Sequence, residues 1–420
     1  MSSSKSLYVT AFALALLTVP ALAEARHVAK PAASKVEAHW LTAWASAQMI
    51  PDPNNALKPD DLKDATLRQI VRVTAGGNRI RVRLSNAFGT TPLRIDVASV
   101  ALSTGAGKTA ILANTSRPLT FSGQNSVTIP AGADYLSDPI DMPVTAMTDL
   151  AITTWQAEAP VQQTSHPGAR TTSFLVHGNH VGDADLTSPM TFEHWFELSA
   201  VEIETTTPAT VAMMGDSITD GRGSTTNGNN RWPDIVAQRL QSGGKPLAVI
   251  NLGIGGNRLL LDGLGPNVLA RLDRDVIAQP GVKYMIVLEG VNDLGMLTHD
   301  GPVDAAGHQA KVANMIAGYQ QVINRAHAHG IKIYGATVMP FMGFDFYHPD
   351  ATNEADRQAV NAWIRTPGHF DAVIDFDAAV RDPAAPDHLK AEYDSGDHIH
   401  PSAAGYAVMG AAVPLGLFTY

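Results

Sequence analysis

The hydrophobic rhythm of this chain changes once, at Thr205-Thr206-Thr207-Pro208, and that change constrains the fold more than any other feature. Before it, from Trp40 to about Glu204, apolar residues recur mostly at every second position. Ile80-Arg81-Val82-Arg83-Leu84 alternates strictly, Leu67-Arg68-Gln69-Ile70-Val71-Arg72-Val73 imperfectly, and Gly76-Gly77-Asn78 supplies the turn between them. Further strands are expected at 95–102, 126–129, 150–155, 172–176 and 195–203. Short strands separated by turn residues predict an antiparallel β-sandwich or jelly-roll-like module over 38–204. After Pro208, short apolar runs at 211–214, 247–252, 284–288, 331–338 and 373–376 alternate with helical segments at 232–240, 266–277, 305–329, 353–365 and 401–413. Five such βα units predict a second domain, 208–420, with a parallel five-stranded sheet covered by helices on both faces.

Composition narrows the partners. With 45% hydrophobic and 17% charged residues, the 420-residue chain can fill a sizeable core. The formal net charge is -10 and no Lys/Arg run occurs, so nucleic acid and anionic membrane surfaces are poor partners. Lys5, the apolar run 7–17 and Ala21-Leu22-Ala23 read as a signal peptide over 1–23, followed by an Ala/Lys/Pro-rich flexible lead-in over 24–37. That run is too short for a comfortable membrane span, so export to a periplasm or the medium is expected, without stable membrane anchoring. The sequence holds no cysteine, which excludes disulfides and a thiol nucleophile. It is silent on oligomeric state.

Four segments stand at the expected strand ends of the second domain: Gly215-Asp216-Ser217, Asn251-Leu252-Gly253-Ile254-Gly255-Gly256-Asn257, Glu289-Gly290-Val291-Asn292-Asp293, and Asp397-His398-Ile399-His400-Pro401 before the last helix. In a parallel sheet the strands' carboxyl ends open onto one crevice, so the first three converge there. Acyl transfer needs a hydroxyl, a base to take its proton, and a carboxylate to orient that base. Ser217, His400 and Asp397 are of the right types, and Asp397 is three residues from His400. Pro401 is expected at the first position of the last helix, with His400 at its cap. The backbone N–H groups of Ser217 and Gly256 and the side-chain amide of Asn292 could receive the developing oxyanion. Asp216, adjacent to the serine, is read as pinning the turn.

These four blocks, in this order, resemble the GDSL/SGNH hydrolase superfamily. Ile218 stands where the family name has Leu, and Val291 where a second Gly often precedes the Asn. The resemblance covers roughly Thr210 to the C-terminus. It implies a flavodoxin-like three-layer α/β/α fold with Ser217 as nucleophile, His400 as general base, Asp397 as its partner, and Ser217, Gly256 and Asn292 as oxyanion hole. It implies neither cofactor nor metal. The β module and the segment 220–234 resemble a two-domain secreted branch that includes acylhydrolases, lipases and carbohydrate esterases. The expected function is a secreted serine esterase acting on a small-molecule or polysaccharide ester, with short acyl groups such as acetyl on carbohydrate preferred. The alternatives are a lipase or lysophospholipase, and a polysaccharide-binding protein with an idle hydrolase-like domain. A metallophosphoesterase would need further His ligands at the strand ends, where Pro340 and Asp377 stand instead. A metal held by Asp394, Asp397 and His398 lacks a spaced His-x-x-x-His pair. An ordinary α/β-hydrolase would need the Gly-x-Ser-x-Gly elbow, which is absent at Ser217.

Overall fold

In the computed structural model the described residues are 1–2, 5–7 and 37–419. Most of the expected signal peptide and lead-in lies outside them. Ala38–Tyr420 forms one compact unit.

Two antiparallel sheets build its N-terminal part. One runs in the order His39–Ala45, Leu198–Thr205, Gly77–Ser85 and Asp134–Leu136, with Ile140–Val144 also paired to Gly77–Ser85. The other runs Met190–Phe192, Ser173–His177, Ala65–Val73, Thr148–Gln156, Val97–Leu102 and Arg117–Pro118. The strict alternation at 80–84 does what period two requires. Ile80, Val82 and Leu84 are buried in a core with Leu41, Val71 and Ile152, whereas Arg81 and Arg83 both pair with the buried Glu202 of the neighbouring strand.

Three strand expectations need correction. Ala65–Val73 and Gly77–Ser85 do not pair as a hairpin, because each lies in a different sheet and the turn between them is an arch across the sandwich. The expected strand 195–203 breaks at Glu197, whose φ is +57°. Trp195–Phe196 pairs with Ser165–His166, and Leu198–Thr205 joins the first sheet. The expected strand 95–102 breaks at Asp96. Leu93–Ile95 pairs instead with Val127–Ile129, and Val97–Leu102 joins the six-stranded sheet.

The C-terminal part is a parallel five-stranded sheet of β1 (Thr210–Gly215), β2 (Ala248–Gly253), β3 (Val282–Leu288), β4 (Lys332–Ala336) and β5 (Ala372–Ile374), in the order β2-β1-β3-β4-β5. That order is flavodoxin-like, and its reversal point lies between β1 and β3. The helices Trp232–Ser242 and Ala403–Ala412 pack together, and Ala305–Ala328 packs with Ala351–Arg365, giving the helical layers of an α/β/α fold. The β1 segment is buried throughout, which is why it reads as continuously apolar rather than alternating. The expected helix 266–277 is an α-helical turn, Val268–Leu272, continued by a π-helical turn, Asp273–Ile277.

The two parts share side chains. Ala45, Ala47, Met49 and Ala200 belong to the same apolar cluster as the β1 and β3 residues. Thr74 Oγ1 donates to the Val249 carbonyl at 2.8 Å and accepts from the Val249 amide at 2.8 Å, while Thr210 Oγ1 donates to the Thr42 carbonyl at 2.9 Å. The open edge of β2 is thereby covered by the β module rather than left for intermolecular pairing.

Candidate active site

Each of the first three blocks lies at the carboxyl end of a parallel strand, whose direction brings its residues to one rim. Gly215 closes β1, and Asp216 caps the helical turn Ser217–Asp220 by accepting from the Ile218 amide at 2.9 Å. The Asp216 side chain thus holds the turn and does not join the triad. Block two follows β2, with Gly256 at φ +72°, where a Cβ would come within 2.7 Å of Leu264. Only glycine fits that left-handed, crowded position. Block three follows β3. Gly290, at φ +118°, lets the chain enter the helix Val291–Thr298, so Asn292 sits in its first turn and Val291 is a buried helix residue. A Cβ on Gly290 would meet Met315 and the Tyr319 hydroxyl at 2.8 Å.

Block four does fold back over the rim. His400 Nε2 is 2.7 Å from Ser217 Oγ, and His400 Nδ1 is 2.7 Å from Asp397 Oδ2. Burial alone would raise Asp397, but bonds from the His400 ring and amide outweigh it and hold the carboxyl far below the usual carboxylate range. Asp397 is therefore an acceptor, Nδ1 carries the proton, and Nε2 is left as acceptor of the serine hydroxyl. One expectation about His400 fails. The last helix, Ala403–Ala412, is capped by Ser402 rather than by His400, and Pro401 bridges to Asp394 instead of starting the helix. The histidine is held by Asp397 and by its own carbonyl, which accepts from the Ser395 amide at 2.9 Å. His398 makes a separate pair with Asp394 at 2.8 Å.

The third oxyanion candidate is oriented by neighbours that no motif announced. Asn292 Nδ2 donates to the Asn257 carbonyl at 2.7 Å, and Asn292 Oδ1 accepts from the Tyr347 hydroxyl at 2.7 Å. Burial pushes the Tyr347 phenol up, so it stays protonated and can donate. This pairing settles which end of the amide is nitrogen and leaves the second Nδ2 hydrogen for the crevice. As the first residue of its helical turn, Ser217 has an N–H with no intrahelical partner. Underneath, the buried Arg271 ties the first two blocks together. Its guanidinium donates to the Gly215 carbonyl at 3.0 Å, the Leu252 carbonyl at 2.7 Å and Asn257 Oδ1 at 3.0 Å, with Asp275 at 3.1 Å as counter-ion. Asp293 accepts from the amides of Leu259 and Leu260 at 2.7 and 3.1 Å, fixing the loop after Gly256. Burial raises Asp216, Glu289 and Asp293 alike, Asp293 raises Asp216 further, and both of those carboxylates raise Glu289.

Ser217, His400, Gly256 and Asn292 line one cavity of about 750 Å³, and the β module forms part of its wall through Met49, His166, Arg170 and Glu193. His166 is stacked on Trp195, and both its ring nitrogens face acceptors: the Ala47 carbonyl at 2.8 Å and Asp220 Oδ1 at 2.9 Å. A carbonyl can only accept, so Nδ1 faces it as donor, and the Nε2 contact links the module to Asp220 in the turn of the serine.

Residues 213–408 match the model of the GDSL-like Lipase/Acylhydrolase family. Those residues make up a little under half of the chain, and over them it is similar to the GDSL-like lipase/acylhydrolases. Solved structures similar to it include a lipase/acylhydrolase from Enterococcus faecalis, at 20% identity over 49% of this chain and 92% of that one (TM-score 0.37). An acetyl xylan esterase from Geobacillus stearothermophilus matches at 20% identity over the same shares (TM-score 0.36). A GDSL-like lipase from Bacteroides thetaiotaomicron matches at 20% over 50% of this chain and 87% of that one (TM-score 0.36). No curated protein matches the chain. Among the described residues, no helix is long and apolar enough to cross a membrane.

Proposed function

We propose that the protein is an exported serine esterase that cleaves carboxylic esters through an acyl-enzyme, with short acyl groups such as acetyl on carbohydrate as its substrates. The observation that carries the reading is the unbroken chain Ser217 Oγ–His400 Nε2–Asp397 at 2.7 and 2.7 Å. In this reading His400 takes the serine proton as Oγ attacks the ester carbonyl. The carbonyl oxygen becomes negative and is received by the amides of Ser217 and Gly256 and the free Nδ2 hydrogen of Asn292. His400 then gives its proton to the departing alkoxide, the ester C–O bond breaks, and the acyl group stays on Ser217. Water, deprotonated by the same histidine, releases the acid and restores the serine. Asp397 stabilises the imidazolium in both half-reactions.

The β module, 38–204, acts in this proposal as part of the crevice wall of the domain 208–420, and not as a separate binding unit. Its support is the His166–Asp220 pair and the cavity lined from both sides. A complete set of nucleophile, base, acid and donors also favours a working enzyme over an idle one. Segment 1–23 serves as the export signal, and no cofactor or metal is required. The test is hydrolysis of p-nitrophenyl acetate beside acetate release from acetylated xylan. Ser217→Ala should abolish both with the thermal midpoint near wild type. Activity retained in that variant would end the assignment.

A further inference from the structure

The β module's side of the crevice carries charges that are not equally satisfied. Asp220 is engaged by His166 at 2.9 Å, Glu193 accepts from Thr226 Oγ1 at 3.0 Å, and Asp52 accepts from the Asn54 amide at 2.9 Å. Arg170 differs. It lines the same cavity, its Nε is buried without a hydrogen-bond partner, and among the described residues no carboxylate pairs with it. A guanidinium is charged at every pH the protein meets, and a buried, unpaired donor on it is costly.

Backbone contacts hold Arg170 there. Its φ is +50°, and its carbonyl accepts from the Asn227 amide at 2.9 Å. The Thr172 amide donates to Asn227 Oδ1 at 2.8 Å, and Asn227 Nδ2 donates to Thr172 Oγ1 at 2.9 Å. Asn227 belongs to the loop that follows the nucleophile, so this clasp fixes Arg170 to the active-site rim. Its place along the rim is also defined. The loop that clasps it, 221–231, also carries Arg222. The Tyr406 hydroxyl donates to the Arg222 carbonyl at 2.6 Å, the Arg222 amide donates to the Ser217 carbonyl at 2.9 Å, and the Arg222 guanidinium is 3.9 Å from Asp397. The loop that clasps Arg170 thus runs beside Asp397, at the His400 end of the site, where the departing alcohol receives its proton.

We propose that Arg170 is a specificity-determining residue that binds an anionic group, a carboxylate or a phosphate, on the alcohol part of the ester. The fork of its guanidinium suits either anion. The proposal rests on the esterase reading and narrows it to alcohols that carry negative charge, such as uronate sugars or phosphate-bearing glycerol.

The test compares 4-acetoxybenzoate with methyl 4-acetoxybenzoate, which differ only in that charge. The carboxylate makes the phenol the poorer leaving group, so a preference for the charged ester cannot come from intrinsic reactivity. The wild type should favour the charged ester in kcat/KM by about tenfold or more, as one charge-assisted hydrogen bond implies. Arg170→Gln should erase that ratio, and Arg170→Lys should keep part of it. Acetylated oligogalacturonate against its methyl ester, and lysophosphatidate against monoacylglycerol, then separate the two anion sources. Hydrolysis of both benzoates without charge preference, or an unchanged ratio in a folded Arg170→Gln variant, overturns this proposal alone. Turnover of neither ester by the wild type overturns the esterase reading and this proposal with it.

Discussion

Tyr347 offers the sharpest mutational test of how the site is organised, because its hydroxyl touches no reacting atom. It donates to Asn292 Oδ1 at 2.7 Å, while Asn292 Nδ2 donates to the Asn257 carbonyl at the same distance. Together they hold one amide orientation, because a flipped amide would set Oδ1 against the Asn257 carbonyl. Tyr347→Phe removes one of the two and leaves a buried oxygen unpaired. A single such bond is worth about 1 kcal/mol, and an unpaired buried acceptor costs about 1–3 kcal/mol. If roughly 1–2 kcal/mol of that falls on the transition state, kcat drops about 5- to 30-fold. Asn292→Ala, which deletes the donor itself, should cost about 10²–10³ in kcat. Steady-state kinetics on p-nitrophenyl acetate, with thermal melts as a fold control, should rank wild type above Tyr347→Phe above Asn292→Ala in kcat, with KM little changed. A Tyr347→Phe enzyme within twofold of wild type, or one altered only in KM, would refute the positioning role.

Two stability predictions follow from buried charge. Arg271→Met removes the guanidinium that joins the Gly215 and Leu252 carbonyls to Asn257, and urea unfolding should show a loss of about 3–5 kcal/mol; a loss under 1 kcal/mol would contradict its role as a tie. Burial raises Glu197 from 4.5 to about 8, so between those values the native state holds a proton that the unfolded chain has lost. Stability must then fall as pH rises from about 5 to 8, and Glu197→Gln should remove that share of the slope, a difference on the order of a few kcal/mol. A wild-type-minus-variant difference that stays flat across this range would show that Glu197 is not buried in its neutral form.

What could be read from the residues alone follows from how local the signals are. Strand periodicity and the βα alternation depend on neighbours a few positions apart, so the parallel sheet and the existence of most strands were legible. The glycines at 256 and 290 and the Asp-x-x-His spacing likewise sit within single blocks. Tyr347 and Arg271 were not legible, because each acts through contacts 14 to 56 positions away, with no motif around it. The hairpin expected at Gly76-Gly77-Asn78 failed for a related reason: a glycine turn marks a change of direction, while the partner strand is chosen by the sandwich core. Glu197 broke an apparently continuous strand through a left-handed φ that its type does not signal. The wall contributed by His166 and Arg170 is wholly tertiary.

The central claim is that Ser217 is a nucleophile activated by His400 at 2.7 Å. Its most direct test is a serine-directed fluorophosphonate, followed by peptide mass mapping of the wild type and of His400→Ala. The account predicts one adduct, on Ser217, with labelling strongly slowed in His400→Ala. An unlabelled wild-type protein, or an adduct on a different serine, would contradict it.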